Sequence, residues 1–130
     1  MSLSAVAVVL LGLAALIHVY IFVLESLLWT RPSTRRTFGV RTAEDAETLK
    51  PMAFNQGFYN LFLSIGTVVG IALLVTGTTQ AGAALLLLAG GSMVAAALVL
   101  VVSSPKLWRA AAIQGVLPLI GIILLTLTLL

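Results

Sequence analysis

The chain has 130 residues, of which 61% are hydrophobic and only 8% are charged, and its formal net charge is +3. Together with a mean hydropathy of +1.19, this composition excludes a soluble globular domain and indicates an integral membrane protein. The absence of cysteine excludes disulfides and thiolate metal ligands.

Four apolar segments are long enough to cross roughly 30 Å of hydrocarbon at about 1.5 Å per helical residue. They cover about residues 3–29, 52–76, 81–102 and 107–130. The first has no basic region before it and is too long for a cleaved signal peptide, so we interpret it as a retained helix. The expected fold is an all-α integral membrane protein, a four-transmembrane-helix bundle that forms one domain over residues 1–130.

The loop between the first two segments contains a helix-start pattern. Thr42 is followed three residues later by Asp45, and acidic residues favour the first turn of a helix. We therefore predict a short interfacial helix at about residues 43–49 in this first cytoplasmic loop. Pro51 either opens the second span or kinks its entry, because its ring removes a backbone donor.

The basic residues all lie in two loops, after the first and the third span. They are Arg31, Arg35, Arg36, Arg41, Lys50, Lys106 and Arg109. The positive-inside rule then predicts that both loops lie in the cytoplasm and both termini lie outside. The net charge of +3 therefore indicates topology and contact with membrane lipids, and it does not favour nucleic-acid binding.

Polar side chains on three of the spans fall in the predicted cytoplasmic half of the bilayer. They are His18 and Glu25 in the first span, Asn55, Gln56, Tyr59 and Asn60 in the second, and Gln114 in the fourth. Unsatisfied polar groups are costly in hydrocarbon, so we expect these seven to surround one ligand-binding recess entered from the cytosol. His18 and Glu25 share a helix face but lie about 10 Å apart along the axis, so they cannot bond directly.

Glu25 and His18 are the candidate catalytic residues, because a carboxyl and an imidazole can carry protons inside the membrane. The structural alternative is that Glu25 pairs with Arg109 or Lys106 and that His18 bonds across helices. A metal site is not predicted, because there is one His and no His-x-x-x-His or Glu-x-x-His spacing. No cofactor is predicted either.

Several motifs carry a resemblance to a known family. The motifs are HVYIFVLESLLW (18–29), NQGFYNLFL (55–63), the pair Phe38-Gly39, and Gln114-Gly115 with Pro118. Together they resemble those of small four-helix bacterial membrane proteins catalogued as a domain of unknown function. The resemblance spans most of the chain and implies a protein of the bacterial inner membrane with no established activity. The positions matching its motifs are His18, Glu25, Trp29, Asn55, Gln56, Gly57, Tyr59 and Asn60.

Three functions remain as hypotheses. The first is a binding site for a small amphipathic or lipid-like molecule, with Phe22, Phe58 and Phe62 as an apolar wall. The second is a membrane-embedded, isomerase-like acid/base enzyme, and the third is a proton-coupled exporter. A scaffold role and a homo-oligomer stay open. The glycines at positions 66, 70, 90 and 91 are predicted to pack helices closely inside the bundle.

Overall fold

The computed structural model describes all residues from Met1 to Leu130, and every regular element in it is helical. The elements are α1 (Leu3–Phe22), a π-helical segment (Val23–Leu27), α2 (Pro32–Thr37), α3 (Ala43–Val75), α4 (Thr79–Ser103), a 3₁₀ turn (Pro105–Leu107) and α5 (Trp108–Leu129). Four helices are long and apolar enough to cross a membrane: α1 continued by the π segment, α3, α4, and α5 preceded by the 3₁₀ turn. The predicted fold class is confirmed, and the chain is a multi-pass membrane protein whose apolar helices contact lipid.

The start of α3 differs from the sequence-based expectation. The Thr42 hydroxyl accepts the Asp45 N–H at 3.0 Å, as the capping pattern predicts. However, residues 43–49 do not form a separate interfacial helix, because α3 runs without a break through Pro51 into the second span. The separate short helix of this loop is α2 instead.

Tertiary contacts explain why the helix continues through Pro51. Proline at this position removes one intrahelical hydrogen bond, the one to the Glu47 carbonyl. Trp29, after the π segment, donates its indole N–H to the Ala46 carbonyl at 2.8 Å and packs against Ala53 on the other side of the proline. These contacts hold both sides of Pro51 against the first span and offset the lost bond.

The four spans form a ring in the order α1, α3, α4, α5, in which each packs against two neighbours. We call the end that holds α2 and the 3₁₀ turn the basic end, since the loops there carry the arginines. The half of the bundle away from it, which we call the closed half, has a core of Ala7, Leu11, Leu86 and Leu125.

Glycines let the helices approach closely in the closed half. A Cβ on Gly82 would lie 2.6 Å from the Leu74 backbone nitrogen, and one on Gly121 would lie 2.8 Å from Leu11 Cγ. Of the four glycines predicted to pack closely, Gly70 and Gly90 do so. The other two do not: a Cβ on Gly66 would meet only an ordinary contact at 3.8 Å, and one on Gly91 would meet nothing within 4 Å.

Candidate functional site

The π-helical segment positions Glu25, the one acidic residue of the chain that lies outside the first two turns of α3. Its defining bond runs from the Leu28 N–H to the Val23 carbonyl, five residues back, at 3.0 Å. The segment ends the first span, because Leu28 after it leaves the helical conformation. Glu25 lies in the middle of this segment, and the sequence pattern did not predict the change in helix type.

The segment is locked against α3 by a close contact and a hydrogen bond. Gly57 of α3 lies directly against Ser26, so that a Cβ there would overlap the Ser26 hydroxyl and lie 3.1 Å from its backbone nitrogen. The same hydroxyl donates to the Phe54 carbonyl at 2.8 Å. Gly57 therefore permits the backbone approach that brings Glu25 towards α3.

Glu25 and Asn60 form the central polar pair of the site. Glu25 is 4% exposed, and its Oε2 accepts a hydrogen bond from the Asn60 side-chain amide at 2.9 Å. The suggested pairing of Glu25 with Arg109 or Lys106 is wrong, because the one salt bridge in the structure joins Lys50 and Glu47. The buried carboxyl group thus has a neutral partner only.

A cavity of about 700 Å³ lies beside this pair in the half of the bundle near the basic end. All four spans and α2 contribute to its wall, and 13 of its 20 lining residues are hydrophobic, so the wall is mainly apolar. The other seven lining residues are polar: Glu25, Thr37, Gln56, Asn60, Ser103, Arg109 and Gln114. Tyr20 and Tyr59, which belong to the 13, also carry a hydroxyl group.

The exposure of the lining residues shows where the cavity opens. Tyr59 of α3 is 62% exposed, and Tyr20 of α1 is 61% exposed. These exposed lining residues mark lateral openings on the sides of the bundle, which face the lipid when the helices span a membrane. Three lining residues at the basic end are exposed as well, so the cavity is also open there: Thr37, Ser103 and Arg109.

The structure brings five of the seven predicted site residues to this cavity: Glu25, Gln56, Tyr59, Asn60 and Gln114. His18 does not line it. The His18 ring is 2% exposed and bonds through Nδ1 to the Ala14 carbonyl of its own helix at 2.9 Å, so it bonds neither Glu25 nor another helix. Asn55 does not line the cavity either and lies exposed on α3.

Sequence reasoning missed four residues of the wall that carry polar groups: Tyr20, Thr37, Ser103 and Arg109. Arg109 was interpreted as a topology signal and as an alternative partner for Glu25, and not as a site residue, although it lies in the first turn of the last span. Tyr20 lies five residues before Glu25, and this short spacing could have indicated it. No group of three or more His, Cys, Asp or Glu residues is close enough to hold a metal ion.

The chain matches the model of a protein family. The family model described as "Protein of unknown function (DUF1304)" covers residues 12–126 of the chain. No curated protein and no solved structure matches the chain. The matched range includes every residue that lines the cavity.

Proposed function

Because this chain belongs to the DUF1304 family, whose description assigns no activity, we propose a function from the site itself: the protein binds a small amphipathic or lipid-like molecule within the membrane. The observation that carries this proposal is the cavity of about 700 Å³, in which a mainly apolar wall surrounds the buried Glu25–Asn60 pair.

The size and the chemistry of the cavity support an amphipathic ligand. Its volume lies within the range of about 300–1,000 Å³ that is typical of small-molecule sites, which are mostly apolar with a few polar groups that orient the ligand. The side-chain amides of Gln56 and Gln114 line the wall and form no hydrogen bond within the protein. Such amides gain hydrogen bonds when a polar headgroup enters.

The proposal includes an orientation and a compartment. With the basic end in the cytoplasm of a bacterial cell and both termini outside, the cavity lies in the cytoplasmic half of the inner membrane. The charge distribution supports this orientation, because every Lys and Arg lies in the loops or helix ends at the basic end. The lateral openings beside Tyr20 and Tyr59 would then admit a molecule from the inner leaflet.

One observation favours acid/base catalysis as a second candidate. Glu25 lines the cavity and bonds Asn60 through Oε2, which leaves Oε1 without a partner in the protein. A carboxyl group placed in this way can exchange a proton with a bound molecule. Proton-coupled export has less support, because Leu11, Leu86 and Leu125 pack the closed half.

A matched pair of variants tests the binding proposal. Ala96 lines the cavity, whereas its neighbour Ala95 is exposed on α4 and does not. A monoacylglycerol is added to each purified protein in detergent, and occupancy is measured by native mass spectrometry. Ala96→Phe should lower occupancy because its ring fills part of the cavity, and Ala95→Phe should bind as the wild type does. Bound monoacylglycerol at equal occupancy in all three proteins would contradict the proposal.

The same assay separates binding from catalysis. Glu25→Gln keeps an oxygen that can accept the Asn60 hydrogen bond but cannot exchange a proton. If the site only binds, the variant holds a bound molecule without changing it, as the wild type does. Conversion of the bound molecule by the wild type alone would support the acid/base candidate.

A further inference from the structure

The charges of the cavity narrow the class of ligand. Resting on the proposed binding function, we infer that the ligand is a zwitterionic amphiphile, whose cationic group lies at Glu25 and whose anionic group, such as a phosphate, lies at Arg109.

Glu25 provides the site for the cationic group. Its side chain is almost fully buried, and its hydrogen-bond partner, the Asn60 side-chain amide, carries no charge. Burying a carboxylate is costly unless it is paired with a positive group and its oxygens are hydrogen-bonded. No cation of the protein forms a salt bridge with it. A ligand ammonium group in the cavity would supply the missing charge and a donor for the free Oε1.

Arg109 provides the site for the anionic group. It lines the same cavity from the first turn of α5, and no carboxylate of the protein pairs with it. Its guanidinium carbon lies 5.4 Å from the centroid of the Trp108 ring, so the aromatic neighbour helps hold it at the basic end. A guanidinium group with free donors binds phosphate oxygens in a bidentate fashion.

The two charges line one cavity without pairing with each other. Glu25 alone would favour a simple cation, which Arg109 would repel. Arg109 alone would favour a simple anion, which Glu25 would repel. A headgroup with both signs satisfies both residues. The apolar wall and the lateral openings then accommodate the hydrocarbon chain, so the cavity fits an amphiphile with a phosphate and an amine in its headgroup.

Three probes of equal chain length test this inference by native mass spectrometry and competition in detergent. They are lysophosphatidylethanolamine, which is zwitterionic, lysophosphatidic acid, which is anionic, and a neutral monoacylglycerol. The wild type should bind the zwitterion more tightly than either other probe by at least about tenfold, which corresponds to about 1.4 kcal/mol.

The variants assign this preference to the two residues. Glu25→Gln should lose the preference for the zwitterion over lysophosphatidic acid, and Arg109→Gln should lose the preference over monoacylglycerol. Lys106→Gln is the matched control, because Lys106 is a cation of the same loop that does not line the cavity and should keep both preferences. Thermal midpoints show whether each variant is folded. If Glu25→Gln were unfolded, the order in which the wild type binds the three probes and the result for Arg109→Gln would still test the inference.

The outcomes separate this inference from the proposed function. Equal binding of the three probes, or tightest binding of lysophosphatidic acid, would overturn the zwitterion assignment and leave the binding function standing. Preferences unchanged in both Glu25→Gln and Arg109→Gln would overturn it as well. Failure of the wild type to bind any of the three would refute the binding function and the inference together.

Discussion

Gly57 lies where α3 meets the π-helical segment, and its replacement by alanine should destabilise the protein. The new Cβ would overlap the Ser26 hydroxyl and lie 3.1 Å from the Ser26 backbone nitrogen and 3.2 Å from Glu25 Cβ. Rotation of the hydroxyl cannot relieve the two remaining contacts, so the π segment and α3 must separate.

The size of the destabilisation follows from two costs and one gain. Inserting a methyl group into a packed contact costs about 1–3 kcal/mol. Loss of the Ser26 hydrogen bond to Phe54 costs about 0.5–1.5 kcal/mol more. Alanine is favoured over glycine within a helix by about 1 kcal/mol, which offsets part of this loss. The net decrease in the free energy of unfolding is therefore expected to be about 0.5–3.5 kcal/mol.

Thermal unfolding in detergent, followed by circular dichroism, measures the effect. Gly91→Ala is the control, because Gly91 is also inside a helix and its new Cβ would meet nothing within 4 Å. The control should be as stable as the wild type or slightly more stable. If Gly57→Ala unfolded at or above the temperature of Gly91→Ala, the tight contact between α3 and the π segment would be refuted.

Two further predictions concern the loop anchor and the orientation. Trp29→Phe keeps an aromatic ring but removes the N–H that bonds the Ala46 carbonyl, so the free energy of unfolding should fall by about 0.5–1.5 kcal/mol; an unchanged thermal midpoint would show that this bond does not hold the start of α3. The chain lacks cysteine, so single variants Ser2→Cys, Ser33→Cys and Thr79→Cys can be labelled in intact cells with an impermeant maleimide. The first and third should react and the second should not, whereas external labelling at residue 33 would reverse the proposed orientation.

Part of the candidate site could be predicted from the sequence, because depth in a membrane follows from position along a helix. Glu25, Asn60 and Gln114 lie on three different spans, and counting residues from the basic loops places them at similar depth. Counting residues does not give the rotation of each helix against its neighbours, which decides whether a side chain faces the cavity or the lipid. For this reason Asn55 was expected in the site, and the structure leaves it exposed.

The case of His18 and Glu25 shows how a local change in the helix alters such a prediction. On an ideal α-helix, residues seven apart share a face, because each residue turns the chain by about 100°. The π segment starts between them, at Val23, and its wider turn changes the angular position of the residues within it. Glu25, inside the π segment, bonds Asn60 of α3, whereas His18, before it, bonds the Ala14 carbonyl of its own helix.

The sequence by itself determined the membrane class, the four spans and the start of α3 at Thr42, because hydrophobic length and capping are local properties of the chain. Only the tertiary structure decided that α3 continues through Pro51, that Gly57 lies against Ser26, and that Glu25 is paired with Asn60. These features depend on contacts between residues far apart in the chain, and the free energy of packing can outweigh local preferences such as those of proline.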